Sequence, residues 1–208
     1  MDFITRCLKS VAFSARLAVL FLAFFASWAA YGQSNTADIL SLRVERAEAD
    51  LYLSAQLRLE LPPSLQDALL KGIPLHFVAE TDITRERWYW SDRRVASTQR
   101  YMRVAYQPLT RRWRLNISAE PVENVGLGVS LSQYYDSMSE AMAAVLRIAR
   151  WKVADAADID SEARQSLRFR FRLDLSQLPR ALQIGAVGQS DWNIHVERRL
   201  DLTAEAMR

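Results

Sequence analysis

The sequence predicts a mainly β (α+β) domain, either an antiparallel β-sandwich or a curved sheet, with about two short helices. Three observations lead to this class: two long segments alternate apolar and polar residues, several shorter segments alternate less regularly, and only two segments have helical signals. Half of the 208 residues are hydrophobic and a quarter are charged, which excludes a disordered chain. A single Cys excludes a disulfide scaffold.

The start of the chain has the composition of a secretory signal peptide. Three cations precede or border the uncharged apolar run of residues 17–26, and small residues follow that run at the spacing that a signal peptidase accepts. We expect residues 1–32 to be removed and residues 33–208 to form a single β-rich periplasmic domain. The alternative is an inner-membrane anchor formed by residues 17–31, and membrane contact is expected only if the signal stays uncleaved.

Loss of this leader changes the charge balance of the chain. Three cations and one anion leave with it, so the formal net charge falls from +3 to +1. A nearly neutral domain gives no reason to expect nucleic acid as a partner. The only cysteine leaves as well, which suits an oxidising compartment where a free thiol would react.

The first half of the domain contains five predicted strands and one helix, in the order 39–48, 50–61, 64–71 (the helix), 75–83, 95–106 and 112–118. Residues 50–61 show the strict period-2 pattern of a strand with one face on the core and one in water. The helix follows two prolines and stops before Gly72. Pro108 suits the second position of a tight turn, so the last two strands should form a hairpin.

The second half contains three predicted strands and one helix, in the order 125–134, 137–150 (the helix), 164–175 and 192–202. Ser137 and Glu140 predict a capping box at the start of the helix, and an apolar stripe follows at helical spacing. Residues 164–175 alternate as strictly as residues 50–61 do. We expect all these elements to form one unit, because no linker or repeat interrupts them.

Residue types that carry catalysis or bind metals are scarce in this sequence. The domain has no Cys and only two His, His76 and His195, for which we expect structural or surface roles. No nucleophile motif, phosphate loop or dinucleotide fingerprint occurs. The acidic run that contains Asp155, Asp158 and Asp160 lacks the Gly and Glu of a calcium loop and predicts a solvated turn. We therefore predict no catalytic residue, no cofactor and no metal site.

One segment stands out because cations and aromatic rings are interleaved in it. Nine Arg occur between residues 85 and 114, and Arg both binds carboxylate or phosphate groups and stacks on aromatic rings. The candidate binding surface consists of Arg85, Arg87, Trp88, Trp90, Arg93, Arg94, Arg111, Arg112 and Trp113. The alternative is that these are the outward side chains of ordinary strands, paired with their neighbours. Arg168, Arg170 and Arg172 form a second basic stripe to which the same alternative applies.

Several motifs resemble those of an uncharacterised Gram-negative envelope family, domain of unknown function 4390, over about residues 38–202. They are Gly72-Ile73-Pro74-Leu75-His76-Phe77, Trp88-Tyr89-Trp90, Asp174-Leu175-Ser176-Gln177-Leu178-Pro179 and Asp191-Trp192. The resemblance implies a secreted domain that is often encoded beside a membrane sensor kinase of the nitrogen-regulation type. No catalytic residue is implied.

The sequence therefore favours a non-catalytic binding or accessory module. Its expected partner is an envelope protein, such as the extracytoplasmic region of that sensor kinase, or an anionic lipid or glycan. Two alternatives stay open: a hydrolase that acts on envelope glycans or lipids through paired carboxylates, and a small-ligand carrier that uses the interior of the sandwich.

Overall fold

The computed structural model of the protein describes residues 37–86, 93–121, 131–160, 163–180, 183 and 190–202. The predicted leader lies outside these residues, and so do Arg87, Trp88 and Trp90. Over the described residues the chain forms nine β-strands and two α-helices, which confirms the predicted fold class. No helix in this part of the chain is both long and apolar enough to cross a membrane.

The larger sheet has six strands: β3 (Leu75–Arg85), β4 (Arg93–Gln107), β5 (Arg112–Ser118), β6 (Leu131–Tyr135), β8 (Gln165–Leu173) and β9 (His195–Asp201). Their order in the sheet is β6-β5-β4-β3-β8-β9, and every pair is antiparallel. The strands β4 and β5 form the predicted hairpin. Strand β6 contains the described part of the segment predicted at 125–134.

The smaller sheet has three strands: β1 (Ala37–Ala47), β2 (Asp50–Leu59) and β7 (Arg147–Asp155), in the order β1-β2-β7. Both pairs are antiparallel. Leu51 and Leu53 on β2 are fully buried, while the alternating residues Tyr52 and Ser54 are partly exposed. The alternation in residues 50–61 is therefore the alternation between core and solvent that the sequence predicted.

One apolar core is shared by the two sheets. Its largest fully buried side chains are Phe77, Phe169 and Phe171, all from the larger sheet. The rings of Phe77 and Phe171 stack with their centroids 5.5 Å apart and their planes 12° from parallel. Burying one such side chain contributes about 1.5–3 kcal/mol, so this group is a major part of what holds the sheets together.

The two α-helices cover parts of the core that the sheets leave open. The first helix, α1 (Pro63–Leu70), has proline in its first turn, and the second, α2 (Met138–Leu146), contacts β4, β5 and β6. The hydroxyl of Ser137 accepts a hydrogen bond of 3.2 Å from the backbone N–H of Glu140. In a capping box, the Glu140 carboxylate would accept a hydrogen bond from the backbone N–H of Ser137. Here it accepts from the N–H of the preceding residue, Asp136.

The prediction of a helix over residues 137–150 is wrong in its second part. Helix α2 ends at Leu146, and residues 147–155 form β7, which the sequence analysis did not predict. Arg150 has a φ of +43°, and the pairing with β2 shifts register next to it. This irregularity places Ile148 and Trp151, three residues apart, on the same buried face, and a spacing of three is also the spacing of a helix.

Candidate functional site

The described residues of the predicted Arg–Trp surface lie at two opposite ends of β4. Arg85, Arg93 and Arg94 lie where β3 ends and β4 begins, whereas Arg111 and Arg112 lie in and after the turn that follows β4. Gln107, the partner of Arg112, lies thirteen positions after Arg94 along the strand, which corresponds to about 40 Å. The structure therefore does not bring these cations together into one patch.

Most of these side chains also have partners within the domain. Arg85, Arg94 and Arg112 form ion pairs with Asp160, Asp82 and Asp136 at 3.5, 3.6 and 3.1 Å, respectively. Trp113 is buried, and its ring packs against Tyr106 with the centroids 4.9 Å apart. Arg93 and Arg111 are exposed.

The second basic stripe lies on the outer face of the larger sheet, where carboxylates of neighbouring strands neutralise it. Arg170 lies within 3.2–3.5 Å of the carboxylates of Glu80, Asp82 and Glu197. Arg168 pairs with Glu197 and Arg172 with Glu80. Cross-strand ion pairs of this kind stabilise a sheet modestly and leave little uncompensated charge for a partner.

The inner face of the larger sheet holds a different feature, an open groove of about 700 Å³. It lies between β4 and β5 of the larger sheet and β7, which is the edge strand of the smaller sheet. Its lining includes the apolar side chains of Val95, Ile117 and Leu131. Small-molecule sites in proteins have volumes of about 300–1,000 Å³, so this groove has the size of a ligand site. We call it the inter-sheet groove.

The position of β7 at this groove is fixed by a hydrogen bond across the sandwich. The hydroxyl of Thr98 on β4 donates to the backbone carbonyl of Val153 on β7 at 3.0 Å. Because β7 is an edge strand, this bond satisfies a carbonyl that would otherwise need water. The bond therefore ties the edge of the smaller sheet to the floor of the groove.

Arg100 is the unusual residue of the groove. It lies opposite the fully buried Ala79 in the β3–β4 register, so it belongs to the core-facing side of β4. Its guanidinium carbon is 5.3 Å from the centre of the Trp151 ring. Among the described residues, no carboxylate pairs with this guanidinium. Burial lowers the pKa of Arg100 below its ordinary value, which for arginine leaves the side chain charged at neutral pH.

Two carboxylates, Asp155 and Asp158, also line the groove, and both residues are exposed. The ammonium group of Lys152 contacts Asp50 at 2.7 Å and Asp155 at 2.8 Å. Hydrogen bonds to these carboxylates raise the pKa of Lys152, and the bond from Lys152 is the main reason that the pKa of Asp50 is lowered. Residues 156–158 form a short 3-10 turn, which agrees with the predicted solvated turn.

The two histidines lie away from the groove, on the outer face. His195 is exposed, whereas His76 is partly buried beside Arg103. Burial, with a further contribution from the Arg103 guanidinium, lowers the pKa of His76 to about 4. No group of three or more potential metal ligands occurs among the residues that the structure describes.

Sequence reasoning missed both Arg100 and Trp151 as site residues. Arg100 had a signal, since it shares alternation with Met102 and Val104 and is therefore an Arg on an apolar strand face. Trp151 had no such signal, because it follows the helix predicted at 137–150. Its approach to Arg100 depends on how the two sheets face each other.

Comparison with known proteins gives one match. A family model described as domain of unknown function (DUF4390) matches residues 34–200. Neither the curated proteins nor the solved structures contain a match.

Proposed function

The chain belongs to the DUF4390 family of domains of unknown function, and we propose that it is a non-catalytic binding module of the cell envelope that holds a small ligand in the inter-sheet groove. The observation that carries this proposal is the combination of a groove of ligand size with Arg100, a partly buried cation that no described carboxylate neutralises. Concave sites with apolar walls and few polar groups are typical of small-molecule binding. The envelope location is supported by the leader-like residues 1–32.

The groove is a better candidate than the Arg–Trp surface because its cation Arg100 is partly buried and not already paired, whereas the described cations of that surface are either paired or exposed to water. An Arg that exchanges one carboxylate for another gains little, whereas one without a carboxylate gains a charge-assisted hydrogen bond when an anion arrives. Arg94 and Arg112 belong to the first kind and Arg100 to the second. This difference supports a role in ligand binding for Arg100.

A groove-filling substitution tests the proposal. We expect protein produced from the full chain to retain small molecules that native mass spectrometry detects, and Ala96→Trp to abolish their retention, because Ala96 lines the groove. Ala105→Trp is the matched control, since Ala105 lies on the outer face of the same strand, next to the buried Val104, and is not part of the groove lining. Equal retention by both variants, each with an unchanged circular dichroism spectrum, would place the ligand elsewhere and contradict the proposal.

A protein partner is a further part of the proposal, and the extracytoplasmic region of a membrane sensor kinase is the candidate. The described residues that would contact it are exposed cations at two separate places, Arg93 and Arg94 at one end of β4 and Arg111 at the other. Charge reversal of all three to Glu should abolish capture of the kinase region in a pull-down from envelope extract. Capture that is unchanged by the reversal would exclude both contacts.

A hydrolase is the second candidate function, because Asp155 and Asp158 lie in the lining of the groove. A carboxylate pair in a concave site is the arrangement that acid–base hydrolysis uses. Against this role, Asp155 is held by Lys152 at 2.8 Å and both residues are open to water. Release of product from envelope glycans or lipids by the purified protein, lost in both Asp155→Asn and Asp158→Asn, would establish the hydrolase and replace the binding module.

A further inference from the structure

We propose that the inter-sheet groove takes a monocarboxylate with an aliphatic chain, the chemistry of a fatty acid. This inference rests on the binding function proposed above and adds the class of ligand. It follows from the charges that line the groove, from the way in which Arg100 meets Trp151, and from the apolar side chains along the walls.

The charged residues that line the groove favour the binding of an anion at one position, beside Arg100. Lys152 and Arg100 are its two cations, and Lys152 is already held between Asp50 and Asp155. Arg100 is partly buried on the core-facing side of β4, where water compensates its charge less well than at the surface. An anionic head group that reaches Arg100 therefore replaces lost hydration and meets a cation that no described carboxylate occupies.

The Trp151 ring leaves the donors of Arg100 available to such a head group. A cation–π contact is an electrostatic attraction to the aromatic ring and offers no acceptor atom for a hydrogen bond, whereas the guanidinium carries five N–H donors along the edge of its plane. The ring, 5.3 Å from the guanidinium carbon, also restricts the side chain. A carboxylate matches the two parallel N–H groups of that edge in a bidentate geometry.

The carboxylates in the groove lining favour a ligand that carries a single negative charge. Asp155 and Asp158 line the same groove and repel additional anionic groups. A phosphate monoester carries a charge of about −1.5 to −2 at pH 7, which one guanidinium does not balance. A carboxylate carries one charge, so it fits the available compensation better than a phosphate does.

The apolar walls of the groove favour an aliphatic chain as the rest of the ligand. Val95 and Ile117 line the groove, and Leu131 is 58% exposed at its border. A hydrocarbon chain laid along them removes apolar surface from water on both partners. Each methylene buried in this way strengthens binding about four-fold, so the affinity should rise with chain length until the groove is filled.

The inference is tested by calorimetric titration of the protein with four C12 compounds, each below its micelle-forming concentration. The compounds are sodium dodecanoate, dodecanol, dodecyltrimethylammonium and dodecyl phosphate. We expect dodecanoate to bind most tightly and octanoate, with the same head group, to bind more weakly. Arg100→Gln should weaken dodecanoate binding about 10- to 100-fold, since it removes hydrogen bonds to a charged group. Arg103→Gln is the matched control, because Arg103 lies on the opposite face of the same strand.

The outcomes separate this inference from the proposed function. If dodecanol binds as tightly as dodecanoate and Arg100→Gln has no effect, the groove binds ligands without selecting a carboxylate, and only the inference fails. If dodecyl phosphate binds more tightly than dodecanoate, the class of head group is wrong. If none of the four compounds binds while small molecules are still retained in an Ala96-dependent manner, the inference fails and the proposed function stands.

Discussion

Replacement of Arg100 by methionine should make the protein more stable while it weakens anion binding. The guanidinium is partly buried, faces the core side of β4 and, among described residues, has the Trp151 ring as its partner and no carboxylate. None of the Arg100 nitrogen atoms is both fully buried and without a partner, so the cost is a partial loss of hydration. It falls in the lower part of the range of about 1–3 kcal/mol for a buried unsatisfied group, and the cation–π contact returns about 0.5–1 kcal/mol of this. We therefore expect Arg100→Met to raise the free energy of unfolding by up to about 1 kcal/mol, because methionine keeps the length and loses the charge.

Urea denaturation followed by circular dichroism measures this difference. A gain of about 1 kcal/mol corresponds to a rise in melting temperature of about 2–4 °C for a domain of this size. Arg103→Met, on the outer face of β4, is the control and should change stability by less than about 0.5 kcal/mol. A loss of more than about 1 kcal/mol in Arg100→Met would refute the reasoning, because the guanidinium would then be part of what holds the fold together.

Substitutions at three further positions test the fold and one partly buried ionisable group. Phe171→Ala should cost about 3–5 kcal/mol, because it removes a fully buried ring from the stack with Phe77; a cost below about 1 kcal/mol in urea denaturation would contradict the described core. Ser137→Ala should cost about 1 kcal/mol, because the hydroxyl accepts the Glu140 N–H at the start of α2, and Ser137→Asp should restore it. His76→Gln should make stability less sensitive to acid. The pKa of His76 is lowered from 6.5 to about 4, so between these values the unfolded chain binds a proton that the folded chain does not, and stability falls as the pH falls through this range. A shift of one pKa unit corresponds to about 1.4 kcal/mol. Since the ring is only partly buried, we expect the His76 ring to account for a loss of about 1 kcal/mol in unfolding free energy between pH 7 and pH 4. If the variant has the same pH profile of unfolding free energy as the wild type, this prediction is wrong.

Most of the sheet structure could be predicted from alternation, because the two faces of each strand differ sharply in burial. The segment of β8 follows this rule at every position from Leu167 to Leu173. Strand β7 could not be predicted in the same way, since the left-handed conformation of Arg150 interrupts its alternation. The sequence pattern of the preceding helix α2 therefore continues past its end, because Ile148 and Trp151 extend its apolar spacing.

The candidate site was predictable only in part, for a related reason. Alternation along β4 identifies Arg100 as a cation on an apolar face, a local property that the sequence contains. Its contact with Trp151 is not local, because it depends on the unpredicted strand β7 and on the packing of one sheet against the other. Conversely, the interleaved Arg and Trp residues predicted a binding surface in a segment whose described cations Arg94 and Arg112 form ion pairs near opposite ends of β4.

The most direct test of the account is the ionisation of a bound carboxylate, followed by NMR with dodecanoate labelled with ¹³C at its carboxyl group. If the carboxylate lies against the Arg100 guanidinium, the pKa of the bound ligand is lower than that of the free ligand, and in Arg100→Gln this difference disappears. A bound ligand whose carboxyl pKa equals its value in water, in the wild type and in Arg100→Gln alike, would show that the groove does not hold an anion at Arg100.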